Sequence, residues 1–95
     1  MSADWIAVSD HAAERWTERT TSPGIGPRVA WNESVRVAGL DGPRGDDIRY
    51  HQPTDLVLVA DRGTLVTVLE GPELSHADRQ TLATQQLRTN GGETA

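Results

Sequence analysis

The stretch DLVLVADRGTLVTVL, residues 55–69, decides the fold of this chain. Two runs rich in valine and leucine, 55–60 and 64–69, flank Asp61-Arg62-Gly63. Apolar runs joined by a short glycine-containing turn predict a β-hairpin. Gly63 suits the left-handed residue of a three-residue turn followed by a bulge.

The hairpin is predicted to be apolar on both faces, because successive side chains of a strand point to opposite sides. The alternation places Leu56, Leu58 and Ala60 opposite Val57 and Val59, and Leu65 and Thr67 opposite Val66 and Val68. Such a hairpin needs cover on both sides, either from helices alone or from helices on one side and a partner on the other.

Helices are predicted before the hairpin. Ser9 is a suitable N-cap, and residues 10–19 favour a helix whose first residue is acidic. Pro27 suits the first turn of a second helix over about 27–38. The valines in that segment keep a strand open as an alternative there.

A short strand and a last helix complete the prediction. Residues 48–51 read as a strand that ends before Pro53. Ser75 and Asp78 resemble a capping box at the start of a helix that runs from His76 to about residue 87 or 88. Asn90-Gly91-Gly92 is predicted to stop it.

The predicted fold class is therefore α+β. It has two N-terminal helices, an antiparallel sheet of about three or more strands containing a tight hairpin, and a C-terminal helix. The helices are expected on one side or end of the sheet. A single domain is expected over residues 1–90, with a mobile tail at 91–95.

The composition narrows the chemistry. The 95 residues include no cysteine, which excludes disulfides, thiolate metal sites and cysteine nucleophiles. The net charge is -5, and all nine basic residues are arginine. This composition suggests a salt-loving organism, in which acidic surfaces maintain protein solubility. The alternative is a GC-rich genome, which also replaces lysine with arginine. We expect a cytoplasmic protein with no membrane segment, since cysteine, a signal sequence and long apolar runs are all missing from the sequence.

A basic stripe is predicted on the first helix. His11, Arg15 and Arg19 are four residues apart, so they lie within about 80° of one another around the helix, at the border of its apolar face. Arginine forks suit phosphate, and histidine titrates near neutrality. The alternative is an ordinary amphipathic helix with solvated cations.

A second polar group lies on the short strand. Arg49 and His51 are predicted to share one face, with Tyr50 on the other. The alternative is an edge strand with its polar side chains turned to solvent. Thr67 interrupts an apolar strand, either as a site hydroxyl or as an ordinary β-forming residue.

The segments SDHAAERWTER at 9–19, DLVLV at 55–59 and LVTVL at 65–69 together resemble small RelE-related toxin-like domains. The resemblance covers most of residues 8–69. It implies a metal-independent ribonuclease of a toxin–antitoxin system, an antitoxin-like protein partner, and a role for Thr67 at the site. The acidic net charge departs from the basic surface common in active toxins of this kind.

Two functions follow as hypotheses. The first is a RelE-like ribonuclease or RNA-binding domain, in which all five basic residues line one cleft. His11 and His51 would be acid and base, and Arg15, Arg19 and Arg49 would clamp phosphate. The second is a non-enzymatic interaction module of the same fold that forms a homodimer. The three histidines are too scattered to pair as ligands, so we expect no metal and no cofactor.

Overall fold

The computed structural model describes residues 6–94, with side chains described for residues 6–85. A five-stranded sheet runs in the order β1-β5-β4-β3-β2. The elements, in chain order, are β1 (Ala7–Val8), α1 (Asp10–Arg19), α2 (Pro27–Glu33), β2 (Val35–Arg36), β3 (Asp47–His51), β4 (Leu56–Asp61), β5 (Thr64–Glu70), a 3-10 helix (Gly71–Glu73) and α3 (His76–Thr94). The predicted α+β class is confirmed, with two short strands added at the sheet edges.

The first helix begins as its sequence dictates. The Ser9 hydroxyl accepts a hydrogen bond from the backbone N–H of Ala12 at 3.0 Å, which satisfies one of the free donors of the first turn. Ser9 also follows β1 directly, and β1 pairs in parallel with the start of β5. The N-cap therefore joins the edge of the sheet to α1 without a loop.

The segment predicted as helix or strand contains both. Pro27 occupies the first turn of α2, which ends at Glu33. Val35 and Arg36 then form β2, which pairs antiparallel with β3. The β-branched valines after residue 34 account for the change, because they suit an extended backbone better than a helix.

The hairpin turn is tighter than predicted. Arg62 and Gly63 both have positive φ, 54° and 81°, and Asp61 pairs with Thr64. Two consecutive left-handed residues between paired strand ends make a two-residue turn of the type that suits the twist of the strands. Gly63 is left-handed as predicted, but the turn has two residues rather than three.

A bulge changes the faces of β5. Ala60 pairs with Leu65, whereas Val59 pairs with Thr67, so Val66 is an extra residue in the ladder. Leu65 and Val68 consequently share one face, and the prediction that Leu65 and Thr67 do so is wrong. The predicted alternation in β4 is confirmed.

Helices cover both faces of the sheet, so the prediction that they gather on one side or end is wrong. Helices α1 and α2 cover the first face, around a core that contains Trp16, Trp31, Leu58 and Leu65. Helix α3 and the segment before β3 cover the second face, around Val57, Val59, Val37, Leu74 and Leu82. The cause is the apolar character of β4 on both sides, which leaves neither face free to contact water.

Helix α3 extends to Thr94, beyond the glycines predicted to stop it. Helix α3 contributes few side chains to the core: within residues 76–85, only Asp78 and Leu82 are buried. The domain limits at 1–90 and the mobility expected for 91–95 stay predictions.

Candidate active site

Arg49 and His51 lie on the first face, as predicted. In the β3–β4 ladder Arg49 pairs with Leu58 and His51 with Leu56, both of which contact the α1 and α2 side. Tyr50 pairs with Val57 and therefore lies on the second face.

His51 is enclosed. Its side chain is 0% exposed, with Nδ1 2.7 Å from Thr54 Oγ1 and Nε2 2.9 Å from Glu33 Oε1. The ring of Trp16 meets it edge-on, with centroids 5.8 Å apart. A general acid or base must reach the proton that it transfers, and this ring has both nitrogens engaged inside the protein.

Arg49 is held in place by its neighbours. Its guanidinium carbon lies 4.2 Å from the centroid of the Trp31 ring, and Nη1 donates to the Trp31 carbonyl at 3.3 Å. Asp47 lies 3.4 Å from Nε, so the charge is balanced. The cation stacks on an indole that is itself buried.

The basic stripe of α1 lies along the outer edge of β5. Arg19 donates to the Val68 carbonyl at 3.0 Å and lies 3.0 Å from Glu73 and 3.6 Å from Glu70. Arg15 pairs with Glu18 in the next turn. His11 is exposed, and within the described residues its side chain has no hydrogen bond or ion pair.

The five basic residues therefore do not line one cleft. The stripe borders β5, whereas Arg49 lies beneath α2 on β3, and β4 separates the two strands. Helix α1 reaches this pair through Trp16, whose ring contacts that of His51. The physical reason is that the apolar stripe of α1, Ala12 and Trp16, takes the central position over the sheet.

A pocket of about 320 Å³ opens on the second face, between the sheet and α3. Its polar groups are Tyr50, Asp55 and Arg79. The Tyr50 hydroxyl donates a hydrogen bond to Asp55 Oδ1. Apolar side chains from β4, the 3-10 helix and α3 form the walls: Val57, Pro72, Leu74, Leu82 and Ala83.

The turn between β3 and β4 presents Asp55 to this pocket. Asp55 has a left-handed φ of 57°, and its N–H donates to the Gln52 carbonyl at 3.2 Å. Aspartate is one of the few residues that tolerate this conformation. Thr67 also lies on the second face, opposite Val59, but it is not among the pocket residues.

Sequence reasoning found Tyr50 but missed both of its charged neighbours in the pocket. From the sequence, Asp55 was assigned to the start of a strand. Its position directly after Pro53 and Thr54 is the signal that could have identified it as a turn residue. Arg79 received no functional assignment from the sequence. No local pattern places that residue over the sheet.

The chain matches the family described as "Putative RelE superfamily toxin domain" over residues 8–71. The chain belongs to this family. The resemblance drawn from 9–19, 55–59 and 65–69 is thereby confirmed. Neither the curated proteins nor the solved structures yield a match.

The matched part of this RelE superfamily toxin domain contains β2 to β5 and the second residue of β1, and it ends where the 3-10 helix begins. Tyr50 and Asp55 lie inside it, whereas Arg79 and the α3 wall of the pocket lie beyond it. The pocket is thus built jointly by the family domain and by a helix outside the match.

One carboxylate holds α3 in place over the RelE superfamily toxin domain. Asp78 accepts hydrogen bonds from the backbone N–H groups of Asp41 at 2.8 Å and Gly42 at 3.0 Å, and these two bonds lower its pKa. Its own N–H donates to the Ser75 hydroxyl at 3.1 Å. Of the predicted capping box, the hydrogen bond from the Asp78 N–H to the Ser75 hydroxyl is formed. The Asp78 carboxylate instead accepts from the loop before β3.

The described residues contain no group of three or more histidine, aspartate or glutamate side chains arranged to hold a metal ion. No helix within residues 6–94 has the length and apolar character needed to cross a membrane.

Proposed function

We propose that this RelE superfamily toxin domain cleaves single-stranded RNA, without a metal ion, at the pocket formed by Tyr50, Asp55 and Arg79. The observation that carries the proposal is a phenol hydrogen-bonded to a carboxylate in an open pocket that an arginine also lines. An acid, a base and an anion-binding cation are the groups that RNA transesterification needs.

The chemistry uses these three groups. Asp55 takes the proton of a ribose 2′-hydroxyl, whose oxygen forms a bond to the adjacent phosphorus. The bond from phosphorus to the 5′-oxygen breaks, and that oxygen takes the proton of Tyr50. Asp55 then returns a proton to Tyr50 through their hydrogen bond. The products are a 2′,3′-cyclic phosphate and a 5′-hydroxyl end, and the enzyme regains its starting state.

Arg79 is the proposed phosphate contact. Its planar guanidinium donates to two phosphate oxygens at once and stabilises the charge that develops on them. The pocket has one cation and one carboxylate, so the long-range attraction of RNA is weak in a chain with a net charge of -5. We therefore expect contacts inside the pocket, rather than surface charge, to set the affinity.

Induced expression in a host cell and cleavage of a labelled single-stranded RNA test the proposal, at low and at molar KCl. Tyr50→Phe, Asp55→Asn and Arg79→Gln should each lower the cleavage rate about 100-fold or more. Arg44→Gln is the matched control for Arg79, because Arg44 is exposed and its side chain has no hydrogen bond or ion pair among the described residues. His11→Ala should also retain activity.

Two results would contradict the proposal. One is the absence of cleavage and of growth inhibition at every salt concentration. The other is cleavage that survives Asp55→Asn and Tyr50→Phe but is lost in His11→Ala, which would return the chemistry to the basic stripe of α1.

A second candidate is the non-enzymatic interaction module, in which the chain binds an antitoxin-like protein or a second copy of itself. The outer edge of β2 favours it, because this edge strand has two residues and Val35 is 56% exposed. Light scattering of the purified chain, with Val35→Lys as the blocking variant, tests self-association. A monomer in both proteins excludes a homodimer through β2.

A further inference from the structure

We propose that Thr54, held by His51, is a positioning residue that fixes the Asp55 carboxylate against Tyr50. The kinetic part of this inference rests on the ribonuclease function proposed above. The structural part concerns the hydrogen bond between Tyr50 and Asp55 and stands without it.

The turn at 52–55 is tied to both faces of the sheet. Thr54 and His51 are joined on the first face by a 2.7 Å hydrogen bond, where both side chains are buried. Asp55, the next residue, is joined to Tyr50 on the second face. Adjacent residues of one turn thus have their side chains anchored on opposite sides of β3.

The Glu33 carboxylate accepts a hydrogen bond from Nε2 of His51, 2.9 Å away. With the proton on Nε2, the other ring nitrogen, Nδ1, is the acceptor for the Thr54 hydroxyl at 2.7 Å. The same hydroxyl also lies 3.4 Å from the His51 carbonyl oxygen, so both of its hydrogen-bond contacts are to His51. Glu33 on α2 orients the imidazole, and the imidazole holds Thr54.

The position of Asp55 depends on this tie. Its left-handed backbone is an uncommon conformation for a residue with a side chain, and the surrounding contacts must maintain it. Among the described residues, Asp55 makes two hydrogen bonds: its carboxylate accepts one from Tyr50, and its N–H donates one to the Gln52 carbonyl within the turn. Freeing Thr54 removes the anchor on the other side of that turn.

Tyr50 supplies a direct measurement, because it is the one tyrosine in the sequence. Tyrosine labelled with ¹³C at ring carbon ζ yields one resonance, and that resonance reports the hydrogen bond of the hydroxyl. The variant Asp55→Asn serves as the reference, because it shows where the Tyr50 resonance lies when the carboxylate acceptor is replaced by an amide. The measurement needs no RNA and no enzymatic activity.

The test compares Thr54→Val, which keeps the shape and removes the hydroxyl, with Thr54→Ser, which keeps the hydroxyl. Thr54→Val should move the Tyr50 resonance toward its position in Asp55→Asn and lower kcat about 10-fold to 100-fold, with KM within about threefold. Thr54→Ser should restore both. A purely structural role would lower stability without this displacement or this split between kcat and KM.

A Tyr50 resonance at its wild-type position in folded Thr54→Val overturns the proposal. If Thr54→Val does not fold, Glu33→Ala replaces it, because that side chain is 51% exposed and its loss frees the His51 ring. An unchanged resonance in Glu33→Ala then overturns the proposal. If the Tyr50 resonance is displaced in the variant but the wild-type chain does not cleave RNA, the positioning role of Thr54 stands and the proposed ribonuclease activity is refuted.

Discussion

Replacement of the buried histidine, His51→Ala, is expected to destabilise the fold strongly, whereas His11→Ala is not. The two residues were predicted to share a catalytic role, yet the structure encloses one and exposes the other. A stability measurement separates them without any assumption about activity.

The magnitude follows from the contacts of the ring. Loss of the imidazole leaves the buried Thr54 hydroxyl with only its 3.4 Å contact to the carbonyl of residue 51, which costs about 1–2 kcal/mol. The edge-on contact with Trp16 contributes about 0.5–1.5 kcal/mol, and the space left beneath that ring costs about 1–2 kcal/mol. We expect the free energy of unfolding to fall by about 3–5 kcal/mol, a large fraction of the total for a domain of this size.

Urea unfolding at fixed pH and salt measures the difference. With a slope of about 1.5 kcal/mol per molar urea, the midpoint of His51→Ala should fall by about 2–3 M. His11→Ala should stay within about 0.5 kcal/mol of the parent protein, because an exposed helical position loses no contact and alanine favours the helix. A loss below about 1 kcal/mol in His51→Ala would refute the enclosed network described above.

Two further predictions concern the loop before β3. Because the pKa of Asp78 is held below its ordinary value of 3.8, the stability that it contributes is present above that pH and is lost as the pH falls through the lowered pKa. Asp78→Asn should therefore lower the Tm at pH 7 and make the Tm fall less steeply as the pH is lowered. A Tm that depends on pH as in the parent protein would contradict this role of Asp78. Gly45→Ala should cost about 1–3 kcal/mol in thermal unfolding, because a Cβ there overlaps the Ala60 carbonyl oxygen. Gly24→Ala, which meets nothing within 4 Å, is its control, and equal melting of the two variants would count against the argument.

Much of the fold could be predicted because it depends on local patterns. The alternation of apolar residues in β4, the Ser9 cap of α1 and the left-handed Gly63 each follow from neighbours within a few positions. The bulge at Val66 could not be predicted, because a strand with one extra residue looks in sequence like an uninterrupted strand. It moved Thr67 to the face opposite the one shared by Leu65 and Val68.

The candidate site was predicted less well than the fold. The α1 stripe and the Arg49–His51 pair were assigned correctly to their own elements, but the distance between them depends on the strand order, and β4 lies between β3 and β5. The pocket that does form needs Arg79, a residue 24 positions beyond Asp55 on a helix outside the family match.

The sequence by itself determined the α+β class, the central hairpin and the likeness to RelE-related toxin domains, because each depends on short-range periodicity or on a run of residue types. Only the tertiary structure decided that His51 is enclosed and that Tyr50, Asp55 and Arg79 line one pocket. Burial and proximity depend on which helix covers which face. The packing of the whole chain makes that choice, because β4 is apolar on both sides and a helix can pack against either of them.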